Sequence, residues 1–171
     1  MCRAVLSVFL MTLTALSVGA ESDARRELRG YANIEFGMTE QQVRKAGKFS
    51  KVAKEGGGIR LTADEPINVE HTNYLLSVRL EGGKAVSILL SNSSRDPSPK
   101  CASRWREVVT SVQQRYGAPD SSVKLDNYTR GNLEAEFTFR DGNKITIFSA
   151  HVPTPYCIVN VAYRRKQQVG R

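Results

Sequence analysis

An α+β fold, with two helices packed on one face of an antiparallel sheet, is what this sequence predicts, on three observations. Two segments repeat apolar residues at three- and four-residue intervals between capping and stop signals. Several others alternate apolar and polar residues and are joined by Gly-Gly or Asp-Gly turns. Helix followed by hairpins occurs twice, over Glu40 to Leu90 and over Lys100 to Tyr163, which predicts two similar helix-plus-hairpin halves sharing one sheet. The chain has 171 residues, 40% hydrophobic, with a formal net charge of +8. That length suits one ordinary domain, and the composition excludes a disordered chain, a collagen, a coiled coil and a multi-span membrane protein.

The first twenty residues read as an export leader. Arg3 is the basic start, Ala4 to Leu16 the apolar run, and Val18-Gly19-Ala20 a small-residue cleavage site that places the mature start at Glu21. The apolar run is short for a retained anchor and is interrupted by Ser7, Thr12, Thr14 and Ser17. Glu21, not Cys, follows the cleavage site, so no lipid attachment is expected. Residues 21–33 are polar, cluster Arg25, Arg26 and Arg29, and read as a loose arm. A single α+β domain is then expected over 34–166, with a tail at 167–171.

Within that domain the sharpest local pattern is Met38-Thr39-Glu40-Gln41-Gln42-Val43. Thr39 is an N-cap, Gln42 completes a capping box, and Met38 with Val43 forms a hydrophobic staple. A short helix therefore starts at Glu40, and Gly47 stops it. Gly56-Gly57-Gly58 turns between strands Phe49 to Val52 and Ile59 to Leu61; it lacks the Gly-Lys-Ser/Thr ending of a phosphate loop. Tyr74 to Leu80 and Ala85 to Leu90 alternate about Gly82-Gly83 and make a hairpin. Residues 91–99 read as a turn-rich connector to the second helix. Ser98 caps that helix, Pro99 suits its first turn, and Cys101, Trp105, Val108, Val109, Val112 and Tyr116 line one face until Gly117 and Pro119 end it. Strands follow at Val123 to Leu125, Leu133 to Phe139, Ile145 to Phe148 after Asp141-Gly142, and Cys157 to Tyr163.

The run Phe36-Gly37-Met38-Thr39 followed by Val43 resembles the Gly-Met-Ser/Thr-x-x-x-Val signature of the BamE-like small outer-membrane lipoproteins and of β-lactamase-inhibitor proteins. In those families the motif opens the first helix of a compact α+β unit. The resemblance implies an exported bacterial protein that works by binding another protein, one version being an inhibitor of a hydrolase. The lipid-bearing Cys is missing here, and Ala46-Gly47-Lys48-Phe49 replaces the usual helix ending.

With the leader removed, two cysteines remain, and in an oxidising compartment Cys101 and Cys157 are expected to pair. Zinc would need more ligands at closer spacing than His71 and His151 add, so no metal or other cofactor is expected. Either histidine offers a base for a small secreted hydrolase, the alternative to a binding protein, but no nucleophile signature surrounds them. Glu134 and Glu136, two apart on a strand, read as a solvated face and not as a glycosidase pair. The charge is more informative. Arg44, Lys45, Lys48, Lys51 and Lys54 fall at or just after the first helix, and Arg164, Arg165, Lys166 and Arg171 form a basic tail. Export removes nucleic acid as a partner and leaves an envelope protein or an anionic envelope component. Ordinary solubility is the competing reading of the same charge.

Overall fold

The computed structural model describes residues 27–95, 98–122, 133–151 and 156–166. The leader expected at 1–20, the strand expected at Val123 to Leu125 and the tail at 167–171 lie outside them. In chain order the elements are β1 (Gly30–Tyr31), β2 (Ile34–Glu35), α1 (Glu40–Ala46), β3 (Lys51–Glu55), β4 (Gly58–Thr62), β5 (Ile67–Val69), β6 (Thr72–Glu81), β7 (Lys84–Ser94), α2 (Ser98–Tyr116), β8 (Ser121–Ser122), β9 (Leu133–Thr138), β10 (Lys144–His151) and β11 (Cys157–Arg164). The fold is α+β, built on one large antiparallel sheet in the spatial order β3-β4-β6-β7-β11-β10-β9-β8, with β5 paired to β6. A separate two-stranded ribbon, β1 with β2, precedes it.

Alternation in the strands becomes rows in the sheet. Register places Leu61, Val78, Ile88, Tyr163, Ile145 and Phe137 side by side across six strands, and all six are buried. Leu76, Leu90, Val161, Ile147 and Ala135 form the next row. Such cross-strand neighbours are the units that stabilise a sheet, and here they form one continuous core.

Local chemistry sets the helix ends. Thr39 and Gln42 form the reciprocal capping box, with the Thr39 amide donating to Gln42 Oε1 at 2.8 Å and the Gln42 amide to Thr39 Oγ1 at 3.3 Å. Val43, one turn in, is fully buried. Gly47 ends α1 in extended backbone, φ −170°, and not in the left-handed form usual for a glycine stop. Glycine suits this position for space and not for φ: a Cβ there would lie 3.0 Å from the Phe49 ring. Gly117 does adopt the left-handed conformation, φ 81°, and its amide bonds the Gln113 carbonyl at 2.8 Å, closing α2.

Helix α2 is held by two residues on its first turns. Cys101 forms a disulfide with Cys157, the first residue of β11, with Cα atoms 5.4 Å apart. Trp105, 6% exposed, donates its indole N–H to the Ile147 carbonyl on β10 at 3.2 Å. The side-chain partners of a buried indole are thereby satisfied by the sheet backbone itself.

Four expectations need correction. The arm joins the fold before Ile34: Leu28 is buried, Gly30–Tyr31 pairs with Ile34–Glu35, and Asn143 and Asp141 bond the Leu28 backbone. Leu28 is the apolar side chain that repays this ordering. Ser98 begins α2 as a helical residue and not as its cap. Strand β7 runs on through Ser91 to Ser94, inside the expected connector, because β11 pairs with it there; a ladder of backbone bonds overrides poor strand propensity. The first glycine-flanked strand is Lys51–Glu55, displaced from Phe49 to Val52, and of the three glycines only Gly56 and Gly57 turn. Gly58 lies in β4, where a Cβ would sit 2.2 Å from the Leu80 carbonyl oxygen.

Two outcomes test this packing. Reduction, or Cys157→Ser, should lower unfolding free energy by about 2–4 kcal/mol in denaturant titrations; equal midpoints with and without reductant would contradict the bridge. Trp105→Ala should cost about 3–5 kcal/mol, and the wild-type emission should be blue-shifted and should move red on unfolding.

Candidate functional site

Beyond Trp105 the apolar side chains on the inner face of α2 become short until Tyr116. Val108, Ser111 and Val112 face the sheet, and Tyr116 closes the far end, edge-on to Phe139 with ring centroids 5.3 Å apart. Large residues at both ends with small ones between leave a cleft of about 450 Å³ between the helix and strands β6, β7 and β11. Tyr74, Leu90, Val161 and Tyr163 line its sheet side. Tyr31, delivered by the β1–β2 ribbon, stands 5.0 Å from the Tyr163 ring at a tilt of 44°.

The third side is the two-residue turn Glu70-His71 between β5 and β6. Both residues have positive φ, 47° and 67°, the conformation that usually selects Asn-Gly. An L side chain there costs roughly 1–2 kcal/mol per residue. The Val69–Thr72 pairing holds the turn, and Glu70 reaches across the cleft mouth to accept a 2.8 Å hydrogen bond from Ser111 Oγ on α2. At the other end Arg104 donates to Asn92 Oδ1 and Ser94 Oγ, tying α2 to β7.

Burial pushes the hydroxyls of Tyr31, Tyr74 and Tyr163 above the ordinary tyrosine range. At Tyr31 the strongest opposing influence is the Arg115 guanidinium, and at Tyr74 it is Arg104. All three are neutral phenols at physiological pH, able both to donate and to accept.

No family model, curated protein or solved structure matches this chain. The site must therefore be read from its own chemistry. Of the residues singled out from sequence, Cys101 and Cys157 are joined in the disulfide. His71 is exposed on the strained turn at the cleft mouth. His151 pairs through its backbone with Cys157, and its side chain lies outside the described residues. Glu134 is exposed, while Glu136 bonds Lys144 at 2.8 Å. Among the described residues no three His, Cys, Asp or Glu side chains gather as a metal site requires, and no helix is long and apolar enough to cross a membrane.

The five basic residues divide. Arg44 bonds Glu40 at 2.8 Å one turn earlier and also the Phe49 carbonyl, so it braces α1. Lys45, Lys48, Lys51 and Lys54 are exposed and form no ion pair among the described residues. Lys51 and Lys54, three apart on edge strand β3, point to opposite faces of the sheet. The neighbouring Asp64 carboxylate accepts from the Ser50 amide at 2.9 Å and from the Ser50 hydroxyl, bonds that lower its pKa ahead of the smaller effects of Lys51 and Lys48.

The cleft is hard to see in the sequence because its residues come from six separate elements. Tyr74 and Tyr163, polar-tipped rings on otherwise apolar strand faces, were the available signal. An alkaline titration tests the tyrosine environment. The folded state holds these three protons longer than the unfolded chain, so its stability should be full below about pH 10 and fall as pH rises beyond it. Absorbance near the tyrosinate band should show Tyr31, Tyr74 and Tyr163 ionising late, together with unfolding; ordinary titration of these three in a folded protein, identified by their Tyr→Phe variants, would contradict the burial.

Proposed function

We propose that this is an exported binding module, without turnover of its own, whose basic edge engages an acidic protein surface or another anionic envelope component. The observation that carries the reading is the set of four exposed lysines on α1, its following loop and β3. Two acids of these elements are paired within the fold, Glu40 with Arg44 and Glu55 with Arg60, and Asp64 offsets only part of the charge of Lys48 and Lys51. Positive charge at this edge is therefore left for an external partner, and it raises the rate at which an acidic surface arrives. The disulfide fits an oxidising compartment outside the cytoplasm.

The resemblance of the Gly37-Met38-Thr39 run to BamE-like and β-lactamase-inhibitor proteins supports a binding role, hydrolase inhibition included. Strand order supports two similar halves: α1 is followed by β3-β4-β6-β7 and α2 by β8-β9-β10-β11, and the two sets meet at β7 and β11 in mirrored order.

Lysines on a free sheet edge also serve to prevent edge-to-edge aggregation, and the two roles make opposite predictions. Oxidised protein starting at Glu21 should capture a saturable partner from a periplasmic and envelope extract. A variant with Lys45, Lys48, Lys51 and Lys54 changed to Gln should lose it, with a wild-type association that weakens as salt is raised. Equal capture by both forms, with aggregation only of the variant, would return the lysines to guarding the edge.

A further inference from the structure

The cleft beneath α2 is distinct from the basic edge, and its chemistry points to a ligand of its own. Its volume of about 450 Å³ is that of a small-molecule site and too small for a folded partner. Aliphatic side chains Val108, Val112, Leu90 and Val161 supply an apolar bed, while Tyr31, Tyr74 and Tyr163 add ring faces and neutral hydroxyls. A plain hydrocarbon chain would leave those hydroxyls facing groups that cannot hydrogen-bond, a costly arrangement. A flat ring carrying a polar substituent satisfies both, since aromatic rings prefer the tilted or offset contacts that Tyr31 and Tyr163 already show at 5.0 Å.

Two arginines and two glutamates stand on the cleft walls: Arg104, Arg115, Glu70 and Glu107. Glu70 is bonded to Ser111 and Glu107 is exposed, while Arg115 lies over the Tyr116 ring and forms no ion pair among the described residues. Arg104, fastened by Asn92 and Ser94, is already oriented without the loss of side-chain freedom that a mobile arginine would suffer. The arginines are the wall charges placed to meet an anionic group.

We propose that this cleft binds a small planar aromatic molecule bearing a carboxylate, with its ring between Val108, Val112 and the tyrosines and its carboxylate in the field of Arg104 or Arg115. The strained Glu70-His71 turn, latched to Ser111, forms the rim that such a ligand passes.

Calorimetry with three probes tests this on the oxidised protein: hydroxynaphthoate, which has ring, hydroxyl and carboxylate; naphthol, which lacks the carboxylate; and octanoate, which lacks the ring. Hydroxynaphthoate should bind with a dissociation constant below about 1 mM and show intermolecular NOEs to the Val108 and Val112 methyls. Naphthol and octanoate should each bind at least about five-fold more weakly. Arg104→Gln or Arg115→Gln should weaken hydroxynaphthoate by about five-fold and leave naphthol within about two-fold, and Val108→Trp should fill the cleft and abolish binding. Arg115 is exposed, so Arg115→Gln keeps the test open should Val108→Trp fail to fold as judged by circular dichroism. No binding of hydroxynaphthoate, equal binding of either control probe, unchanged affinity in both arginine variants, or retention by a folded Val108→Trp would each overturn the proposal. Loss of the basic-edge lysines should leave this binding unchanged, so this test and that of the basic edge succeed or fail separately.

Discussion

The insertion of β11 between β7 and β10 is the constraint on which the rest of the structure depends. Each of its eight residues is paired on both sides, to Ser87–Ser94 and to Lys144–His151. The last strand of the sheet thus holds together partners that are far apart along the chain. Closing such long loops costs entropy before the contacts compensate, so the topology is one that folds slowly and gains from a covalent link. Cys157 stands at the start of this strand and ties it to α2, while Tyr163 near its other end lies in the central row of the core. Position, cross-link and core therefore meet in one strand.

That strand also explains why a cleft exists. Helix α2 is fixed over its first turns by Cys101 and Trp105, which set its distance from the sheet at that end. A close-packed interior would fill the space further along with Leu or Phe. The chain instead places Val108, Ser111 and Val112 there, and Tyr116 wedges against Phe139 beyond them. Space kept open between two rigid attachments persists, because collapsing it would require the helix to tilt against a disulfide. The strained turn at Glu70-His71 and the long reach of Glu70 to Ser111 border the same space, in keeping with the tendency of backbone strain to gather at functional sites.

The basic edge is a different kind of surface. It lies on the outermost strand and on the helix that precedes it, and its charges are solvated, so its influence is long-ranged and salt-dependent. The cleft is a recess between helix and sheet, where a molecule would meet the lining side chains by direct contact. A small domain with one core can present both, since Val43 of α1 is buried and Gly37 and Met38 just before the helix are bonded through their backbones to Ala85 of β7, leaving the helix's outer face and β3 exposed.

Much of the fold was legible in the sequence, because caps, turns and alternation are local. The Thr39 capping box, the Gly82-Gly83 and Asp141-Gly142 turns, the long helix ending at Gly117 and the pairing of the two cysteines each depend on residues whose chemistry is specified within a few positions or by simple elimination. Legibility failed wherever a distant partner decided the outcome. Leu28 is ordered by the Asp141–Asn143 turn, Ser91 to Ser94 become strand because β11 lies beside them, and a Cβ at Gly47 would press on the Phe49 ring. The five basic residues were visible as a run, yet only their placement separates Arg44, which braces a helix, from the lysines that face solvent. The cleft was not legible at all, since Tyr31, Glu70, Tyr74, Arg104 and Tyr163 converge from separate elements with no shared spacing. By itself the sequence determined the α+β class, the helix and turn boundaries set by local hydrogen bonding, and the disulfide partners. Strand order, the separation of bracing from exposed charge, and the space beneath α2 were decided only by tertiary structure, because each depends on which distant side chains share a surface.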